Sequence, residues 1–291
     1  MNPRLPVLSL TPTGPEITSC FPGGAVNHPE RGFMTIEFTC HNIRLDDGTF
    51  TKPDEIGTVE TDPSFASVLR FLETVFPEDK KHLRLADLGC LEGGHAVEFA
   101  RMGFQVLAIE VREANIAACN YVKSNVTLPN LVFVKDDAWN IVKHGVFDVV
   151  FCRGLFYHMD RPKQFLQTLS SLTKKLLILQ THFATDTTDP TKFKLSPLCE
   201  NEGLPGRWYS EFPDEESFGN RENHKWSSWD NRRSFWIQRE YLLQAIRDAD
   251  FDLVMEGFDG LGNNIAAAML SGYYRTDTWG TFIGIKTVKA S

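Results

Sequence analysis

The sequence predicts an α/β protein whose mostly parallel sheet of seven strands carries helices on both faces. Three observations predict it. Short apolar runs alternate with helix-period segments between residues 83 and 182, the pattern of strands buried on both faces. A glycine-rich turn, Gly89-Cys90-Leu91-Glu92-Gly93, follows the first run and opens a helix. The chain has 291 residues, 42% hydrophobic and 23% charged, enough to bury the core of one such domain with extensions.

The elements follow in order. Residues 1 to about 32 are rich in Pro, Gly and Thr without periodicity and read as an arm. Phe33–Phe38 is a strand candidate, and Asp47-Gly48 marks a turn, so a small hairpin or cap is expected there. Arm and cap together occupy residues 1–62, and the main domain residues 63–291. Pro63-Ser64 begins a helix with Phe65, Val68, Leu69, Leu72 and Phe76 on one face, Ser64 as its N-cap and Pro77 as its stop. Strands are then expected at Leu83–Leu88, Val106–Ile109, Leu131–Val134, Phe147–Cys152 and Leu176–Leu179. Helices are expected at His95–Met102, Glu113–Val122 and Pro162–Leu172. Residues 183–236 break this rhythm: they are strand-poor, polar and aromatic, punctuated by Gly203, Pro205, Gly206 and Pro213, and read as a lid insert. A helix at Arg239–Asp248 and strands at Leu253–Glu256 and Thr281–Lys286 complete the sheet.

Composition narrows the partners. The net charge is -8 and the sequence holds no long Lys/Arg run, which disfavours nucleic acid, whose phosphates demand clustered cations. No apolar run reaches membrane-spanning length and no basic-then-apolar leader opens the chain. Six scattered cysteines form no CxxC pair and no metal-ligand spacing. A reduced, cytoplasmic, metal-free protein is the consistent expectation.

The turn after the first strand carries the functional reading. Glycine lets the backbone bend sharply, so that amide hydrogens and a helix N-terminus can approach a ligand. The spacing Asp87-x-Gly89-x-x-x-Gly93 is not the G-x-G-x-x-G of dinucleotide sites. Glu110 ends the second strand, 21 residues after Gly89, where a carboxylate accepts from ribose hydroxyls; the plain alternative is a solvated Glu at a strand end.

With these residues, positions 83–182 resemble the class I S-adenosylmethionine-dependent methyltransferases, which have a Rossmann-like fold. The resemblance implies S-adenosyl-L-methionine as cofactor. It implies that Asp87, Gly89, Cys90, Leu91 and Gly93 form the first cofactor motif, with Leu91 standing where the family usually has glycine. Glu110 would hold the ribose, Asp137 the adenine amino group, and Ala138 or Trp139 would flank the ring. Arg153 and Leu155, after the fourth strand, complete the cofactor set. The stretch Phe151–Pro162 is similar to methyltransferases related to the tRNA wobble-uridine carboxymethyltransferases, and Asn231–Trp236 resembles bacterial members of that group.

Methyl transfer from a sulfonium needs an acceptor held in line, and a base only if that acceptor must lose a proton. His158 is the leading base or acceptor-orienting group; packing or helix capping is its rival role. Tyr157 either faces the sulfonium or sits in the core, and His182 is a second histidine candidate. In the insert, Trp208, Arg232, Arg233 and Trp236 suit an apolar wall with a carboxylate clamp, or equally a structural or homodimer surface. Ser271-Gly272-Tyr273-Tyr274 is a further pocket candidate. The expected partner is a small-molecule methyl acceptor, amino-acid-like or a secondary metabolite, with O-, N- or S-acceptor open. A tRNA wobble-uridine methyl or carboxymethyl transferase is the alternative, and a cofactor-binding regulator without activity the third reading.

Overall fold

In a computed structural model, residues 36–186, 193–257, 270 and 277–287 are described. Helix α1 (Pro63–Val75) leads into β1 (Arg84–Leu88), α2 (Gly94–Arg101), β2 (Gln105–Glu110), α3 (Glu113–Ser124) and β3 (Leu131–Lys135). Strand β4 (Phe147–Arg153), α4 (Pro162–Leu172) and β5 (Thr173–His182) follow. The insert supplies β6 (Cys199–Asn201), β7 (Leu204–Ser210), α5 (Glu215–Gly219) and β8 (Arg233–Ile237). Helix α6 (Arg239–Asp248), β9 (Leu253–Gly257) and β10 (Trp279–Ile285) close the chain.

Seven strands form one sheet in the order β3-β2-β1-β4-β5-β10-β9. All neighbours run parallel except β10, which is antiparallel to both β5 and β9. Pleating sends alternate side chains to opposite faces. Leu85, Val149, Phe151 and Ile178 therefore join α1, α2 and α3 on one side, while Ala86, Leu88, Val150, Leu177 and Leu179 join α4 and α6 on the other. The fold is the expected doubly covered α/β sheet, and α4 and α6 have the predicted limits.

Four local expectations change. Asp62, not Ser64, caps α1: its carboxylate accepts from the Phe65 amide at 2.8 Å and from the Ser64 hydroxyl at 2.6 Å. Pro63 holds the first helical position, so the cap falls two residues before Ser64. Ile36–Phe38 is not a strand, and the hairpin is reduced to one bridge, Arg44 with Phe50, around Gly48 at φ 85°. The insert is not strand-poor, since β6, β7 and β8 make a second, antiparallel sheet. Pro205 and Gly206, which read as punctuation, lie inside β7. A side chain at Gly206 would meet the Trp236 carbonyl at 2.3 Å, so glycine there serves close strand packing. Finally, Cys40 is disulfide-bonded, its partner lying outside the described residues, whereas Cys90, Cys119, Cys152 and Cys199 are free.

The described part of the cap packs onto the domain: Phe38, Ile43, Leu45 and Val59 are buried in the core of the α1–α3 face. The arm, Cys20 and the Ser271–Tyr274 candidate lie outside the described residues. Among those described, no helix is long and apolar enough to cross a membrane.

Candidate active site

A cavity of about 1000 Å³ opens over the C-terminal ends of the parallel strands. That is where open α/β sheets take ligands, at the point where strand order reverses, here beside β1. Its floor consists of Gly89 and Leu91 after β1, Glu110 at the end of β2, and Asp137 and Ala138 after β3. Arg153 and Leu155 after β4, and His182 at the end of β5, complete it. Its size is at the top of the range for ligand pockets, roughly 300–1,000 Å³.

The turn after β1 is built from left-handed backbone: Gly89 at φ 69°, Leu91 at 54° and Gly93 at 84°. Its amides do not face the cavity as the sequence suggested. Those of Gly89 and Cys90 donate to the Ile109 carbonyl at 2.9 and 3.0 Å, that of Leu91 to Glu110 at 3.0 Å, and that of Gly94 to His41 at 3.1 Å. The turn contributes close backbone approach instead of N–H donation. Beneath it, Asp87 is fully buried and one carboxylate oxygen has no partner. Burial, then the neighbouring Glu110 charge, raises its pKa to about 8. Glu110 accepts from the Val111 and Arg112 amides, both at 2.9 Å, which fixes its carboxylate at the wall; burial raises its pKa too. Asp137 accepts from the Trp139 amide at 2.9 Å and is likewise raised by burial.

On the acceptor side, His158 lines the cavity with its Nδ1 2.8 Å from Glu211. The Glu211 side chain has no solvent exposure. It also accepts from the Ser228 amide at 2.9 Å and the Ser234 hydroxyl. Tyr157 lines the cavity between two imidazoles, its ring 4.1 Å from His158 and 4.8 Å from His182.

A roof made of residues 39–63 and 225–230 covers the site, and Glu92 joins its two parts. Its carboxylate takes the amides of Thr39, Cys40 and His41 at 2.7, 3.1 and 2.8 Å, and Lys225 Nζ at 2.6 Å. Burial pushes the Glu92 pKa up, but His41, Lys225 and these hydrogen bonds outweigh it and hold it at about 2. Arg112 adds a second tie, donating to the His224 and Ser227 carbonyls at 2.8 and 2.7 Å.

Several expected site residues lie elsewhere. The Cys90 thiol points into the core, 3.9 Å from that of Cys119. Gly93 serves helix packing, since a side chain there would meet the Phe133 ring at 2.6 Å. Arg232 pairs with exposed Glu215, and Arg233 lies over Trp208 at 4.2 Å; both are exposed and neither lines the cavity. Trp208 packs on Phe235. Trp236 is buried behind His182, stacked at 4.7 Å. Conversely, Glu92, Glu211, Arg112 and Lys225 were not singled out from the sequence. Glu92 sits inside the glycine turn, a position that invites a question about a buried charge; Glu211 carries no such signal.

Comparison with known proteins identifies the family. Residues 63–256 match the model of a methyltransferase domain, and the chain belongs to that family of S-adenosylmethionine-dependent methyltransferases. Ubiquinone biosynthesis O-methyltransferases of Rickettsia felis and Rickettsia canadensis are each 30% identical over 92 residues, 31% of this chain. The chain spans 37% and 38% of those curated relatives. Among solved structures, the N-terminal domain of EvdMO1 with SAH bound is 22% identical with a TM-score of 0.56, covering 77% of this chain and 81% of its own. The same domain in the presence of SAH and D-fucose gives 21%, 0.59, 84% and 90%. These structures share the fold.

Proposed function

We propose that this protein methylates a hydroxyl group of a small molecule, with His158 as general base. The observation that carries the reading is the buried His158–Glu211 pair on the cavity wall, at 2.8 Å. With Nδ1 donating to Glu211, the remaining lone pair is on Nε2, and the carboxylate stabilises the imidazolium formed when a hydroxyl proton arrives there. The O-methyltransferase activity named for the relatives, matched over 92 residues, supports an oxygen acceptor.

The residues present fit the methyl donor. S-adenosylmethionine, when bound, supplies an electrophilic methyl group on a sulfonium. In this reading Glu110 takes ribose hydroxyls and Asp137 the adenine amino group, which their position on the cavity wall supports; beneath the wall, the unpartnered oxygen of Asp87 favours a nearby cation. Burial of the His158–Glu211 pair reduces competition from solvent for the proton transfer. Nothing in the geometry favours tRNA: carboxylates outnumber cations along the cavity wall, and the chain is acidic overall.

Label from methyl-labelled S-adenosylmethionine, offered with metabolite extract and tRNA, is expected in the small-molecule fraction as an ether. His158→Ala is expected to lower kcat by about 10²–10⁴-fold with cofactor affinity unchanged. Label confined to tRNA, or an unaffected rate in the variant, overturns the reading.

A further inference from the structure

His182 lies on the same wall as His158 but outside the Glu211 pair. Its Nδ1 is 3.0 Å from the Thr278 backbone carbonyl. A carbonyl only accepts, so Nδ1 carries the hydrogen and Nε2 keeps a lone pair. The ring is locked in place: it stacks on Trp236 at 4.7 Å and 4°, and Trp279 meets it edge-on at 4.9 Å. Trp236 is itself fixed by its indole N–H, which donates to the Tyr157 carbonyl at 3.0 Å. Burial lowers the His182 pKa to about 4, so the ring is neutral at physiological pH and Nε2 accepts.

His158 repeats the arrangement, with Nδ1 engaged by Glu211. Two imidazoles flank Tyr157, and neither Nε2 has a protein donor among the described residues. Both residues line the cavity, so a ligand hydroxyl can supply the donor. The cations of the wall are engaged elsewhere: Arg153 by Asp62 at 3.3 Å, Lys225 by Glu92 at 2.6 Å, Lys52 by Glu55, and Arg112 by backbone carbonyls. Among the described residues, each cation of the wall already has a partner, which disfavours a carboxylate-bearing acceptor.

We propose that the acceptor is a ring carrying two hydroxyls, one methylated at His158 and the other donating to His182 Nε2, and that His182 sets this specificity. The proposal rests on the hydroxyl-methylation reading above. Tyr157 and Trp279 supply flat apolar contact for the ring. A donor-less analogue leaves the cavity-lining His182 without a ligand hydrogen bond, which lowers its affinity relative to the diol.

The test is calorimetric titration of the full chain, saturated with S-adenosylhomocysteine, with catechol, trans-1,2-cyclohexanediol, phenol, benzoate and benzylamine at millimolar concentrations. At least one diol is expected to bind ten-fold or more tightly than phenol, and comparison of the two diols distinguishes an aromatic ring from a saturated one. His182→Phe keeps the stack on Trp236 and removes the acceptor nitrogen. It is expected to bring the diol to the level of phenol with S-adenosylhomocysteine affinity intact. Equal binding of diol and phenol to the wild type, tightest binding of benzoate or benzylamine, or no binding of either diol overturns the proposal, whether or not the variant folds. A wild type that fails to bind S-adenosylhomocysteine overturns the methyltransferase reading, and this inference with it.

Discussion

The two halves of the cavity are made in different ways. The donor half comes from one continuous motif: β1, its turn and β2 place Gly89, Leu91 and Glu110 within about twenty residues of one another, tied by backbone hydrogen bonds. The acceptor half is assembled from four distant segments. His158 follows β4, His182 ends β5, Glu211 follows β7, and the roof joins residues 39–41 to Lys225 through Glu92. Local backbone geometry fixes a generic ligand, while long-range side-chain contacts fix the particular one. The acceptor half is correspondingly the half that other folds of the same kind are free to vary.

The largest effect is expected where the halves meet. Glu92→Ala leaves Lys225 and three amides without their carboxylate and is expected to destabilise the protein by about 3–5 kcal/mol, read from denaturant midpoints. Because the folded pKa is depressed from 4.5 to about 2, the contribution of Glu92 is present above pH 4.5 and lost as pH falls toward 2. The variant should lack that part of the acid transition. Unchanged stability would mean that the roof is not fastened to the turn.

A second effect belongs to the donor half alone. Asp87, with its pKa at about 8, carries a proton at pH 7 in the free protein. A cation seated above it favours the carboxylate, so S-adenosylmethionine binding at pH 7 is expected to release protons, measured by calorimetry in buffers of different ionisation enthalpy. Asp87→Asn should abolish the release and weaken binding about ten-fold, ~1.4 kcal/mol. Release that persists in the variant would assign the proton to another group. The smallest effect sharpens the boundary of the site: Arg232→Ala and Arg233→Ala are expected to change stability by less than about 0.5 kcal/mol and leave the acceptor KM alone. A raised KM would return them to the site.

The same division decides what was legible in the sequence. The sheet, α4 and α6 follow from period and spacing, because strands buried on both faces impose local rules, whereas Asp137 was singled out by the family resemblance. The insert sheet was hidden because Pro205 and Gly206 signal a break, while their real constraint, contact with Trp236, comes from a strand thirty residues on. Arg232 and Arg233 looked like a clamp from composition, yet Arg232 pairs with exposed Glu215 and Arg233 lies over Trp208, away from the cavity. Glu211 is an ordinary residue in the sequence, and only the approach of His158, 53 positions earlier, brings it to the cavity wall. The amides of the turn were read as ligand donors; the Ile109 carbonyl, across the sheet, takes two of them.

Leu91 holds a left-handed conformation, φ 54°, at a place where a bare backbone would be at ease. Such a conformation costs a side-chain-bearing residue about 1–2 kcal/mol, and the residue borders the cavity. The protein thus tolerates a standing local tension to keep an apolar surface on the cavity wall. Relaxing that position to glycine would make for a sturdier molecule with a roomier, less discriminating donor chamber.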